Sequence, residues 1–114
     1  MTETITDEAT PFAMTVADLA GRLARGETLH LVDVREPWET ELCRIDGSLN
    51  IPLGQLPGRA GDVPDDAPVV VICHHGARSA QATQFLRARG VRAINLTGGI
   101  DAWARQQDPS MAVY

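Results

Sequence analysis

Lysine is absent from this chain of 114 residues: all ten basic side chains are arginine, set against fifteen carboxylates. The formal charge is −5 and the pI near 5.0. A phosphate polymer or an anionic lipid surface needs a positive face, so nucleic acid and membrane are excluded as main partners. A coding preference for Arg, Ala and Gly explains ten arginines more simply than ten functional guanidinium groups do, so only arginines inside motifs are singled out. Cysteine is also scarce. Cys43 and Cys73 are the only two, and their flanks lack the pattern of a small secreted disulfide scaffold, which favours reduced thiols. Long apolar runs are missing, since no stretch approaches the roughly 20 residues of a membrane span. Residues Met1 to Thr10 are acidic and polar, without the cationic start and apolar run of a signal peptide. These absences predict a cytoplasmic protein.

What is present suits one domain. A chain of this size buries roughly two thirds of its unfolded surface, and 44% hydrophobic with 22% charged residues is ordinary globular composition. Apolar periodicity fails only at the ends, which predicts a flexible tail over 1–12, a folded domain over 13–107 and a second tail over 108–114. Thr15-Val16-Ala17-Asp18 has capping-box spacing, and Val16, Leu19, Ala20 and Leu23 recur at helical intervals until Gly26 offers a left-handed stop. Leu29 to Val34 is a run of β-formers too continuous for a strand with one wet face. A short helical or irregular stretch from Glu36, a short strand over Ser48 to Pro52 and a Gly- and Pro-punctuated segment from Gly54 to Pro68 follow.

Val69-Val70-Val71-Ile72 is the strongest strand signal and marks the centre of the sheet. Ser79 is placed to cap the helix after it, with an apolar stripe of Ala82, Phe85 and Leu86 and stop signals at Arg87, Arg89 and Gly90. Ala93 to Leu96 is a further buried strand, and Ile100 to Gln106 a last short helix. Strands alternating with helices of about ten residues predict an α/β fold, a parallel sheet covered on both faces.

Cys73-His74-His75-Gly76-Ala77-Arg78-Ser79 lies at the carboxyl end of the central strand, where open α/β sheets bind ligands. A loop that curls there, with Gly76 supplying conformational freedom, turns successive backbone N–H groups inward as an anion nest, and the following helix adds its positive end. Cys73 is therefore placed to act as a nucleophile; the plainer alternative is a small apolar residue ending a buried strand. His74 and His75 are adjacent, so their side chains are expected to point apart and chelate poorly with Cys73. No further ligands stand at zinc spacing, and neither a metal nor a cofactor is expected. Either histidine tunes the thiol, meets a ligand or is loop surface. His30, Trp38 and Trp103 read as packing residues.

With that loop in view, the chain resembles the rhodanese family from about Thr15 to Trp103. Four segments carry the resemblance: Leu31-Val32-Asp33-Val34-Arg35-Glu36; Arg44-Ile45-Asp46-Gly47-Ser48-Leu49-Asn50-Ile51-Pro52; the cysteine loop ending in Arg78-Ser79; and Asn95-Leu96-Thr97-Gly98-Gly99-Ile100 with Ala102-Trp103. The resemblance implies a parallel sheet of about five strands flanked by helices. It also implies a sulfurtransferase in which Cys73 takes a sulfane sulfur from a donor such as thiosulfate and passes it, as a persulfide, to cyanide or a thiol. On that mapping His74, His75, Gly76, Ala77, Arg78 and Ser79 bind the substrate, with Arg78 supporting the loop or the anionic donor. Asp33 and Arg35 match a family motif and read as mainly architectural, a hydrogen-bonded pair near the strand end, with a direct catalytic role as the alternative.

Many relatives have Gly-His-Ile-Pro-Gly-Ala where this chain has Cys43-Arg44-Ile45-Asp46-Gly47-Ser48. Arg44 either guides an anionic donor or is simply solvated, and Cys43 either resolves the persulfide or is a buried inert thiol. The rival functions are a cysteine phosphatase of the same fold and a non-catalytic interaction module. Four residues separate Cys73 from Arg78, one fewer than in the phosphatase relatives, and the module relatives usually lack the cysteine. The expected partners are a small sulfur donor and acceptor, with a sulfur-accepting protein as an alternative acceptor, and the chain is expected to act as a monomer.

Overall fold

Four β-branched residues in succession leave neither face of a strand wet, and Val69-Val70-Val71-Ile72 is buried on both faces in the computed structural model, which describes residues 10–114. The elements run β1 (Ala13–Met14), α1 (Val16–Ala24), β2 (His30–Asp33), α2 (Pro37–Leu42) and β3 (Leu49–Asn50). Then come a 3-10 turn (Leu53–Gln55), α3 (Leu56–Arg59), a second 3-10 turn (Ala60–Asp62), β4 (Val69–Ile72), α4 (Ala77–Ala88), β5 (Ala93–Leu96) and α5 (Gly99–Gln106). The strands form one sheet in the order β1-β5-β4-β2-β3, with every neighbouring pair parallel and β4 in the middle. The expected α/β architecture with five parallel strands is what the chain adopts.

Side chains of a strand alternate between faces, and the core divides accordingly. Leu31, Val70, Ile72, Ile94 and Leu96 pack with Val16 and Leu19 of α1 and Ile100 of α5. Val32, Val69, Val71, Cys73 and Ala93 pack with Leu56 of α3 and Ala82 and Leu86 of α4. Each fully buried Leu, Ile or Val adds about 1.5–3 kcal/mol relative to an exposed position. The parity that puts Val71 on the α4 face puts Cys73 there too, two residues on. Cys43 belongs to the cluster on the α1 and α5 face, and both thiols are free.

Local signals set the helix ends. Thr15 accepts from the Asp18 N–H at 3.1 Å, and Gly26 follows α1 at φ +79°. Two details differ from the sequence reading. The strand β1 is only two residues long, too short to show periodicity, and it is secured when the Asn95 and Thr97 N–H groups donate to Phe12 and Met14 carbonyls at 2.7 and 2.8 Å. Ser79 does not cap α4: the helix starts at Ala77, with Gly76 as its cap residue at φ +117°, a conformation other residues rarely adopt.

The expected N-terminal tail lies, for residues 1–9, outside the described residues. Arg87 donates to the carbonyls of Thr10 and Pro11 at 3.1 and 3.3 Å. At the other end Met111 and Tyr114 pack against the core of the α1 and α5 face. Among the described residues no helix is long and apolar enough to cross a membrane.

Candidate active site

The loop leaving β4 is folded by its own backbone. Cys73 is buried and its Sγ accepts the Gly76 N–H at 3.0 Å, while the positive φ of Gly76 turns the chain from the loop into the helix. Ser79 Oγ lies 3.3 Å from the same sulfur and 2.5 Å from Asn95 Oδ1. One hydroxyl carries one proton, so Asn95 holds it while the oxygen faces a thiol, and a thiolate can claim it instead. Asn95 also donates to the Gly76 carbonyl at 3.3 Å, tying β5 to the loop. Sulfur thus sits among donors at the start of the twelve-residue helix α4, whose positive end favours developing negative charge.

A second support comes from α5. The Ile100 and Asp101 N–H groups donate to the carbonyls of Cys73 and His74 at 2.8 and 3.1 Å. That approach requires Gly99: at φ +60°, a Cβ there would run into the Cys73 and His74 carbonyls. Gly99 therefore lets the helix end press on the cysteine loop, while Gly98, at φ +80°, leaves no room for a Cβ beside Ala102.

Charges around the loop are paired. Arg78 places Nη1 and Nη2 on the two oxygens of Glu39 at 2.7 and 2.8 Å, and Glu39 is 3% exposed. The Glu36 N–H donates to Glu39 Oε2 at 2.8 Å and the Tyr114 hydroxyl to Oε1 at 2.8 Å. The Arg78 guanidinium, with these donors, holds the Glu39 carboxyl down at about 2 and is itself raised. Arg78 is thus engaged with Glu39, which favours its loop-supporting role over a free anion contact.

Asp33 and Arg35 form the expected pair. Both are buried, and Arg35 reaches Asp33 Oδ2 at 2.7 Å, the Cys43 carbonyl at 2.7 Å and the Tyr114 hydroxyl at 2.9 Å. Arg44 is exposed and lines a cavity of about 260 Å³ with Ile45, Asp46, Trp103, Asp108 and Met111, none of them in the cysteine loop.

His74 and His75 correct an expectation. Their rings lie against one another, with centroids 3.9 Å apart and planes at 32°, and together with Asp101 they bring three ligand atoms within 4.8 Å. The Asp101 carboxylate is held by Arg105 at 3.0 Å. The opposite side of His74 is stacked on Tyr114 at 3.9 Å with planes at 4°, and His74 Nε2 is buried without a hydrogen-bond partner. Trp38, read as a packing residue, is 60% exposed and meets the edge of Tyr114 at 6.1 Å; Trp103 packs against the core.

Glu39, Asn95 and Tyr114 escaped the sequence reading as site residues. Asn95 left a signal, a lone amide inside a buried four-residue strand. Glu39 and Tyr114 left none, because their partners lie 39 and 75 residues away.

Comparison with known proteins points to one family. The rhodanese-like domain model matches residues 15–106. A sulfurtransferase of Allochromatium vinosum is 43% identical over 95 residues, covering 82% of this chain and 89% of that protein. The probable adenylyltransferase/sulfurtransferase MoeZ of Mycobacterium tuberculosis is 38% identical over 104 residues, 89% of this chain but only 26% of that protein. The solved structure of a human single-domain sulfurtransferase superposes with a TM-score of 0.74 at 28% identity, covering 84% of this chain and 97% of that one. By sequence, by fold and by the cysteine loop at the end of its central strand, the chain belongs to the rhodanese-like family of single-domain sulfurtransferases.

Proposed function

We propose that the protein moves a sulfane sulfur from a donor such as thiosulfate to cyanide or a thiol through a persulfide on Cys73. The observation that carries this reading is the setting of Cys73 Sγ, 3.0 Å from the Gly76 N–H at the positive end of α4. In the first step the Cys73 thiolate attacks the outer sulfur of thiosulfate. A bond forms between Sγ and that sulfur, the sulfur–sulfur bond of the donor breaks, and sulfite leaves with its electron pair. In the second step cyanide attacks the outer sulfur, thiocyanate forms and the thiolate leaves. A thiol acceptor reacts the same way and loses its proton to solvent. The reaction is a difficult transfer split into two easier displacements.

Within this reading the amides of the loop from His74 to Ser79 receive the negative charge that builds on the sulfurs, and α4 adds its dipole. Arg78, held by Glu39, fixes the loop's shape. A sulfur-accepting protein is an alternative acceptor, and the chain acts in the cytoplasm as a monomer without metal or cofactor.

The test is steady-state thiocyanate formation from thiosulfate and cyanide, repeated with a panel of thiols. Native protein is expected to turn over and Cys73→Ser to show no rate above buffer. Equal turnover by Cys73→Ser would refute the assignment.

A further inference from the structure

Tyr114 lies beyond residues 15–106, which match the family model, yet it joins three parts of the site. Its hydroxyl accepts from Arg35 Nη1 at 2.9 Å and donates to Glu39 Oε1 at 2.8 Å, while its ring lies parallel to His74 at 3.9 Å. Burial and the Glu39 carboxylate push the phenol up to about 12 against the opposing pull of Arg35, so it stays a donor at neutral pH. Glu39 in turn holds Arg78 by both nitrogens. One side chain thus braces both ends of the loop: His74, next to the nucleophile, by its ring, and Arg78, at the start of α4, by its hydroxyl through Glu39.

We propose that Tyr114 is a positioning residue for the reaction at Cys73. It has no contact with the sulfur itself. It acts by fixing the plane of His74 and the seat of Glu39 against Arg78, and so the shape of the loop between them. The proposal rests on the sulfur-transfer reading for its kinetic part only.

The experiment compares native protein with Tyr114→Phe, which keeps the ring and loses the hydroxyl, and Tyr114→Leu, which loses both. Two readouts are taken below the unfolding transition: kcat and KM for thiosulfate, and the rate at which iodoacetamide alkylates Cys73, located by peptide mass. Small misplacements of a reacting group are costly, so Tyr114→Leu is expected to lower kcat about tenfold with KM within about twofold, and Tyr114→Phe to recover part of the loss. The alkylation rate should change by about threefold or more in the Leu variant. Native kcat and native alkylation in both variants, with or without a lower melting temperature, would overturn the proposal. Should Tyr114→Leu not fold, the Phe variant decides alone: native kcat and alkylation overturn the proposal, and a lower kcat supports it. If the native protein transfers no sulfur while alkylation still changes, positioning by Tyr114 stands and the sulfur-transfer reading falls.

Discussion

Arg78 shows how a partner changes what a residue is expected to do. As the cation ending the cysteine loop it looks dispensable for folding, but its partner Glu39 is 3% exposed and has Arg78 on both oxygens. Arg78→Ala leaves that carboxylate without its cation, so a stability loss of about 1–3 kcal/mol is expected alongside lower turnover, measured by urea denaturation and kinetics. Arg78→Lys restores charge without the two-pronged grip and should fall between. An unchanged urea midpoint in Arg78→Ala would show that the pair adds nothing to the fold. Glu39 also predicts a pH response. A carboxylate lowered on folding adds stability that is full above its unfolded value and lost as pH falls through its folded one, here from 4.5 to about 2. Stability should fall less steeply across that window in Glu39→Gln than in native protein. Parallel slopes would remove Glu39 from the linkage.

At the scale of elements, what was legible in the sequence was what is local. The β-branched run of β4, the Thr15 cap and the Gly26 stop each depend on neighbours within a few residues, and each is found where expected. The start of α4 was read as Ser79 because Ser is a good cap, yet the tight turn that brings the Gly76 N–H to Sγ makes Gly76 the cap instead. The sequence predicts that His74 and His75 diverge, as neighbours in extended chain do, but the loop brings their rings together with centroids 3.9 Å apart. The contact of α5 with the loop was visible only as a Gly-Gly pair without a cause; the close approach of the Cys73 and His74 carbonyls supplies one. Gly99→Ala is therefore expected to cost about 2 kcal/mol or more from positive φ and steric overlap together, and to lower turnover sharply. A native melting temperature and rate in that variant would mean that the loop and helix end yield freely. Inserting one Gly after Gly76 should widen the loop and abolish sulfur transfer, and the native chain should show no turnover of an aryl phosphate; Cys73-dependent phosphatase activity would favour the rival chemistry.

Across the whole molecule, the two thiols are of unequal character. Cys73 ends the central strand on the α4 face, among donors, whereas Cys43 packs on the α1 and α5 face beside Arg35. The two thiols belong to different core clusters and both are free, so Cys43 is expected to take no part in the cycle. The network Asp33–Arg35–Tyr114–Glu39–Arg78 joins residues from β2 to the last position of the chain. Such long-range partners give a sequence no periodic trace, which is why the cysteine loop and the Asp33–Arg35 pair could be read and Glu39 and Tyr114 could not. The measurement that tests the central claim most directly is intact mass after incubation with thiosulfate and removal of excess donor. The native chain and Cys43→Ser should each gain the mass of one sulfur and lose it to cyanide, and Cys73→Ser should gain none; sulfur on Cys73→Ser, or its absence from Cys43→Ser alone, would contradict the account.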